Sequence, residues 1–373
     1  MTIGLINLYS ARNLGDAAIY SALASMCPGE RISGVLPDCT PGEVPGLELA
    51  SALPRCDAYI SVGGEVFNNA RPRLVTRRFL NNLGELRIAP RRTMSFGQTI
   101  PRSCQGLSQV ALAMAMRQLA SVTVRDEGSY RLLRAYGVDA QLSYDTAFVL
   151  RPSSAGIAAA VRLYDRLDLD PARAAVISLR GRSLMYQQTG ASSERRIADL
   201  VMALQRRGHQ VAVVLQADAD EADSDRALSE QLAAEIPGLV VIDPFREPPE
   251  VPRWQLLISA LALANLVVAV RYHTAILRLA AGRSALVLDY SSKGADLRRR
   301  LRLPGMALLD ADAGEAVAAV ERLGGVPFDP EPLTRDVRER FADGLAATGI
   351  AAPAAPMPLQ GSVGELSLAG SGR

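Results

Sequence analysis

The sequence predicts an α/β protein built from two doubly wound domains that face each other across a cleft, and three observations lead there. Short apolar runs alternate with helical patterns from residue 3 onward, which is the rhythm of βαβ units and parallel sheets. The rhythm breaks at residues 145–152 and restarts at 175–179, so the same architecture is laid down twice. A chain of 373 residues, 49% hydrophobic and 21% charged, is long enough and apolar enough for two cores. The expected units are a first domain over 1–150 and a second over 151–348. Residues 349–373, dominated by Ala, Pro, Gly and Ser, have too little apolar surface to offset their ordering entropy and are expected to fray.

In the first half, predicted strands at 3–7, 58–62 and 93–96 are each followed by a helix, at 16–26, 74–83 and 107–119. A strand at 122–124 and a helix at 127–136 come next, and Gly137 suits the left-handed position that ends a helix. After a helix at 155–167, the second half runs strand 175–179, helix 194–205, strand 211–215, helix 223–235, strand 239–242 and helix 254–264. The Val-rich run 266–270, the helical run 274–281 and the apolar run 285–288 complete the series.

Several classes of function are excluded by bulk properties. Net charge is +2 and no Lys/Arg block forms a stripe, so nucleic acid is not an expected partner; the run Arg298 to Arg300 reads as a solvated helix end. Cys27, Cys39, Cys56 and Cys104 lack C-x-x-C spacing and read as reduced, mostly buried thiols. H-E-x-x-H, G-x-S-x-G, Walker A and G-x-G-x-x-G patterns are all missing, so no metal and no resident cofactor is expected. No apolar stretch reaches the ~20 residues of a membrane helix, and residues 3–8 read as a core strand and not as a signal segment. The expected location is cytoplasmic, or peripheral to the inner face of the membrane.

Doubly wound sheets bind ligands at the carboxyl ends of their strands, and the chemistry-bearing residues of this chain collect there. Arg271, Tyr272 and His273 join the strand 266–270 to the following helix, and Lys293 follows the next apolar run. Arg180 repeats the placement of Arg271 after the strand 175–179, so the two guanidinium groups could grip a ligand with two anionic groups. His273 is either a satisfied helix-start histidine or an acid/base. A helix N-terminus lowers its pKa and a bound dianion raises it, so a ligand could recharge it on arrival. His209, in a polar turn, reads as inert.

In the first half, Asn13, Gly15 and Asp16 follow the first strand. Asp16 either caps the helix or contacts substrate as a general base or hydroxyl ligand. Gly63 and Gly64, then Gly97 and Gln98, follow the next two strands. Arg125 and Asp126 read as an ion pair with a helix cap, and Asp145 as the cap of a turn.

Taken in order, the segments Asn13 to Asp16, Gly63 and Gly64, Gly97 and Gln98, Arg125 to Tyr130, Asp145 to Phe148, Arg180, and Arg271 to His273 with Lys293 resemble the polysaccharide pyruvyl transferase family. The resemblance implies a fold similar to GT-B glycosyltransferases, with two facing Rossmann-like domains. It implies transfer of a pyruvyl group from phosphoenolpyruvate, as co-substrate, onto two hydroxyls of a sugar, with a cyclic ketal formed and phosphate released. The acceptor would be a nucleotide- or lipid-linked sugar. His273 would be the acid/base, Asp16 the base or sugar ligand, and Arg271, Lys293, Arg180 and Arg125 the anion grip. Asn13, Gly15, Gly64 and Gln98 would line the substrate site. The sequence departs from the family at Glu65, where a further glycine is usual, at Ile100 and Pro101, and at Arg283 and Ser284. The rival expectations are a GT-B-type glycosyltransferase using a nucleotide sugar, with Glu247 as a weak ribose ligand, and a non-catalytic anion-binding homologue.

Overall fold

A computed structural model describes residues 1–69, 75–180, 192–219, 224–246 and 250–350. Two all-parallel sheets form the frame. The first contains β1 (Thr2–Ile6), β2 (Arg31–Gly34), β3 (Leu47–Leu49), β4 (Ala58–Ser61), β5 (Thr93–Gln98), β6 (Ser121–Val124) and β7 (Ala140–Leu142), in the order β3-β2-β1-β4-β5-β6-β7. The second contains β8 (Ala174–Ser178), β9 (Gln210–Val214), β10 (Val240–Ile242), β11 (Leu266–Ala269), β12 (Leu286–Asp289) and β13 (Gly305–Ala307), in the order β10-β9-β8-β11-β12-β13. Central strands are buried along their whole length, as the unbroken apolar runs require for a sheet covered on both faces.

The chain builds outward from β1 to β3, then resumes on β1's other side at β4; in the second sheet the same reversal separates β8 from β11. A crevice opens at the carboxyl edge wherever successive crossovers leave in opposite directions, so each domain offers one ligand position, at β1/β4 and at β8/β11.

Twelve α-helices lie among the described residues. Those of the first half are α1 (Leu14–Ser25), α2 (Arg77–Leu86), α3 (Leu107–Met116), α4 (Glu127–Ala135) and α5 (Ser154–Arg166). They are followed by α6 (Ser192–Arg206), α7 (Arg226–Glu235), α8 (Arg253–Leu263), α9 (Tyr272–Ala280), α10 (Ser292–Leu301), α11 (Ala313–Glu321) and α12 (Glu331–Ala347). Local signals work where expected: Gly137 has φ +70 after α4, and its N-H bonds the Arg134 carbonyl at 2.9 Å.

One continuous apolar core runs through both sheets, from Ile3, Ile60 and Phe96 to Val176, Val267 and Ile276, so the domains are fused along one side of the cleft. The last helix departs from its expected place. Although α12 falls in the range assigned to the second domain, it crosses back to the first sheet, where Phe341 meets Phe96 edge-on at 5.2 Å and Thr334 bonds the Phe148 carbonyl at 2.8 Å. Its apolar face is complementary to β5 and β6, which the sequential rhythm alone does not reveal. Residues 351–373, the bulk of the expected tail, lie outside the described residues.

The arginine run at the end of α10 also differs from expectation. Only Arg299 is a solvated end. Arg298 pairs with Asp289 at 2.9 Å, and Arg300 reaches the first domain, donating to the carbonyls of Arg125 at 2.8 Å and Ser143 at 2.9 Å. Among the described residues no helix is long and apolar enough to cross a membrane.

Candidate active site

The β1–α1 connection forms one wall of the cleft. Asn13 caps α1 through its side chain, accepting from the Gly15 N-H at 3.2 Å, so the cap is Asn13 and not Asp16. Asp16 sits in the first turn with a carboxylate oxygen facing Gly64. The loop is fixed from the opposite domain: the Leu14 N-H donates to the Gln216 carbonyl at 2.9 Å, and Asn13 pairs with Ala217 as an isolated bridge. Gly15 is demanded by close approach. A Cβ there would stand 2.1 Å from Nδ1 of His273, so only glycine lets the first domain's backbone lie on the imidazole of the second. Gly64, at φ +125, turns the chain at the end of β4 and bridges Gln98.

His273 lies in the first turn of α9, buried, with Nε2 3.3 Å from Nη1 of Arg125 and 3.5 Å from Oδ2 of Asp145. Arg125 and Asp145 are themselves joined at 2.5 Å, both essentially inaccessible, and Asp145 also accepts from the Ala147 N-H at 2.9 Å. The expected turn cap is therefore present, but it is half of what Asp145 does. The expected Arg125–Asp126 pair is not formed: Asp126 caps α4 through Ser129, while Arg125 reaches Asp145 and Thr99. Burial would raise the Asp145 pKa, yet Arg125 first and His273 second hold it well below the ordinary carboxylate range. For His273, burial is the largest influence and lowers the pKa. Arg125 and Lys293 push the same way, and Asp145 opposes them without winning. The imidazole is held toward its neutral form.

Tyr272 occupies the space between two cations, with Arg125 5.0 Å and Lys293 5.6 Å from the ring centre. Its own ring meets His273 edge-on at 5.4 Å. Lys293, at the start of α10, crosses the cleft to Glu65, Nζ to Oε2 2.7 Å. Burial would raise the Glu65 pKa, but Lys293, and then Arg125 and Arg180, outweigh it and hold the carboxyl below its ordinary value. Glu65 is thus an anion lying in the field of three cations drawn from both domains. Arg180, partly exposed, is one of the three.

Two expected ligand contacts are placed otherwise. Arg271 is 2% exposed, and its guanidinium is bound to Asp225 (2.5 and 3.0 Å) and the Leu179 carbonyl (3.1 Å). The reason is that Asp225 is completely buried and needs a counter-charge; it also accepts from the N-H groups of Gln216 and Ala217. Gln98 is fully buried as well, donating to Ser61 at 3.2 Å and to the Val62 carbonyl, a brace between β4 and β5. His209, expected to be inert, precedes β9 at its amino end and lies 3.3 Å from Glu321. Glu247 and Gly181 lie outside the described residues. Among the described residues no group of three metal-ligating side chains is present.

Asp145, Tyr272 and Glu65 are the residues that sequence reasoning did not assign to the site. Asp145 stands 128 positions from His273, and no local pattern links the two. Tyr272 and Glu65 carried a usable signal, since each directly adjoins a motif residue at a strand's carboxyl end.

Two parallel-sheet domains meeting at their switch points, with a cationic cleft between them, define a GT-B-like protein. The polysaccharide pyruvyl transferase family model matches residues 13–292, and the chain belongs to that family. The fold is shared with UDP-N-acetylglucosamine 2-epimerases. The S. aureus MnaA–UDP structure superposes with a TM-score of 0.53 at 11% identity, covering 93% of each chain. The UDP-GlcNAc 2-epimerase of Methanocaldococcus jannaschii gives 0.52 at 8% identity, covering 91% of this chain and 99% of the other. E. coli ADP-heptose LPS heptosyltransferase II is a further neighbour, at 0.46 and 12% identity over 87% and 98% of the two chains. No curated protein sequence matches this one.

Proposed function

We propose that the protein transfers a pyruvyl group from phosphoenolpyruvate to two hydroxyls of a sugar, forming a cyclic ketal and releasing phosphate, in polysaccharide or glycoconjugate assembly in the cytoplasm. The observation that carries the reading is the meeting of a buried, neutral-leaning histidine with Lys293 and Arg180 at the paired switch points, backed by the sealed Arg125–Asp145 pair. Phosphoenolpyruvate brings a phosphate and a carboxylate, and this cleft offers separate positive charge for each.

The chemistry requires one proton at the donor's methylene carbon, which leaves its neighbouring carbon electron-poor. A sugar hydroxyl adds there and loses its proton; the phosphate then departs with the C-O bonding pair as a second hydroxyl adds and passes its proton to the departing phosphate. His273, once charged by the approach of the donor's anions, supplies the proton to carbon, and Asp145 steadies the imidazolium. Lys293 and Arg180 offset the charge that grows on the departing phosphate. Asp16, across the cleft beside Gly64, takes the proton of the attacking hydroxyl or holds the sugar. Arg271 acts behind this layer, fixing the loop that presents His273. Glu65 occupies the place of a donor anion and yields Lys293 when the donor enters.

The test is to incubate the protein with phosphoenolpyruvate and a panel of free, nucleotide-linked and lipid-linked sugars. Phosphate release should accompany an acceptor mass gain of one ketal-linked pyruvate. His273→Ala should lower turnover by about a hundredfold to ten-thousandfold while donor binding stays within a few-fold. Turnover near the wild-type rate in that variant would remove His273 from its role. Hydrolysis of a nucleotide sugar with no phosphate from phosphoenolpyruvate would remove the reading.

A further inference from the structure

The outer surface of the first domain is unlike the rest of the molecule. Helices α2 and α3 lie side by side, their inner faces sharing one core through Phe79, Leu83, Leu86, Leu112 and Met116. Their outer faces should then be polar. Instead Leu107, Val110 and Met114, at helical spacing along α3, are 73%, 40% and 58% exposed, and α3 contains no charged residue at all. On α2 Leu80 is 52% exposed, and Ile88, in the bend that follows the helix, is 51% exposed. Half of the large apolar side chains exposed among the described residues are these five. Scattered exposed apolar residues need no explanation, but a stripe along a helix with two more beside it does.

Charge marks the same surface. Between residues 75 and 124 the chain carries seven arginines and one carboxylate, although its net charge is only +2. That carboxylate, Glu85, is turned inward, accepting the Asn7 N-H at 2.6 Å. Arg91, Arg92 and Arg117 line one shallow hollow at the carboxyl ends of the two helices, with exposed Arg87 beside it. An apolar stripe bordered by arginine matches a bilayer whose headgroups are anionic: the apolar side chains enter the acyl boundary and the guanidinium groups meet phosphate. A second copy of the chain is a poorer partner, because residues 75–124 carry no outward carboxylate with which a copy's arginines could pair.

We propose that the α2–α3 face docks the protein on an anionic membrane surface. Both helices run antiparallel to their strands, so Leu80 and Leu107 lie toward the carboxyl edge of the first sheet, where the cleft opens. A bilayer on this face therefore borders the mouth of the site and delivers an acceptor carried on a lipid by diffusion in the plane. The docking itself stands apart from the reaction and is tested without it.

The experiment is co-sedimentation of the full chain with vesicles of phosphatidylcholine alone and of phosphatidylcholine mixed with phosphatidylglycerol, at low and raised salt. The protein should bind the mixed vesicles, ignore the neutral ones and be released by salt. Arg91→Glu/Arg92→Glu and Leu107→Ser/Met114→Ser, all exposed positions, should each lower partitioning about tenfold while keeping the melting temperature. Failure to bind mixed vesicles, or binding that both variants leave intact, overturns the proposal. So does a dimer in light scattering that Leu107→Ser/Met114→Ser dissociates while vesicles go unbound.

Discussion

Two ion pairs at the carboxyl edge of the second sheet look interchangeable in sequence and differ completely in accessibility. Arg271–Asp225 is sealed, with side-chain exposures of 2% and 0%, whereas Lys293–Glu65 is 14% and 38% exposed and spans the cleft. The sealed pair cannot exchange its anion without leaving a bare charge in the core, so it builds the loop that carries His273. The open pair can exchange Glu65 for a ligand at small cost, since water and ligand both reach it. Cation count alone does not locate a binding site; the anion each cation already holds, and whether that anion can leave, does.

Replacing the members of the two pairs should separate these roles. Arg271→Ala strands a buried carboxylate and should cost about 3–5 kcal/mol of folding stability, read by chemical denaturation, before any effect on ligand can be assessed. A loss below about 1 kcal/mol with sharply weaker donor binding would return Arg271 to the ligand-contacting set. Lys293→Ala should do the reverse, leaving stability nearly unchanged and weakening phosphoenolpyruvate binding about tenfold to a hundredfold by calorimetry, as expected for a lost charge-assisted contact. Glu65→Gln should produce the smallest change, a tightening of donor binding of about fivefold at most that shrinks as salt rises. Weaker binding in Glu65→Gln would mean that the carboxylate helps to hold substrate and does not stand in its place.

Much of the architecture was legible because buried parallel strands announce themselves: 58–62, 175–179 and 266–270 coincide closely with β4, β8 and β11. The strands β2, β3, β7 and β13 went unread, since they are three or four residues long and lack a sustained apolar run. The return of α12 to the first sheet depends on a surface match that no window of sequence contains. At the site, position along the chain identified which residues reach the carboxyl edges, including His273, Lys293, Arg180 and Arg125. Pairing was not legible: Asp145 and Asp225 are single carboxylates distant in sequence, and each decides the role of an arginine. A residue's spacing reveals where it stands, and only the fold reveals what already neutralises it.

The electrostatics of His273 offer the most direct examination of this account. Burial and two neighbouring cations lower its pKa below the ordinary value, which favours the neutral imidazole. A bound phosphate and carboxylate favour the imidazolium and raise that pKa, so binding takes up a proton and tightens as pH falls between the free and bound values. Calorimetric titration with phosphoenolpyruvate at pH 7, in buffers of different ionisation enthalpy, measures that proton. Net uptake that disappears in His273→Ala is the predicted result; binding with no proton taken up, or uptake that survives the substitution, would contradict it.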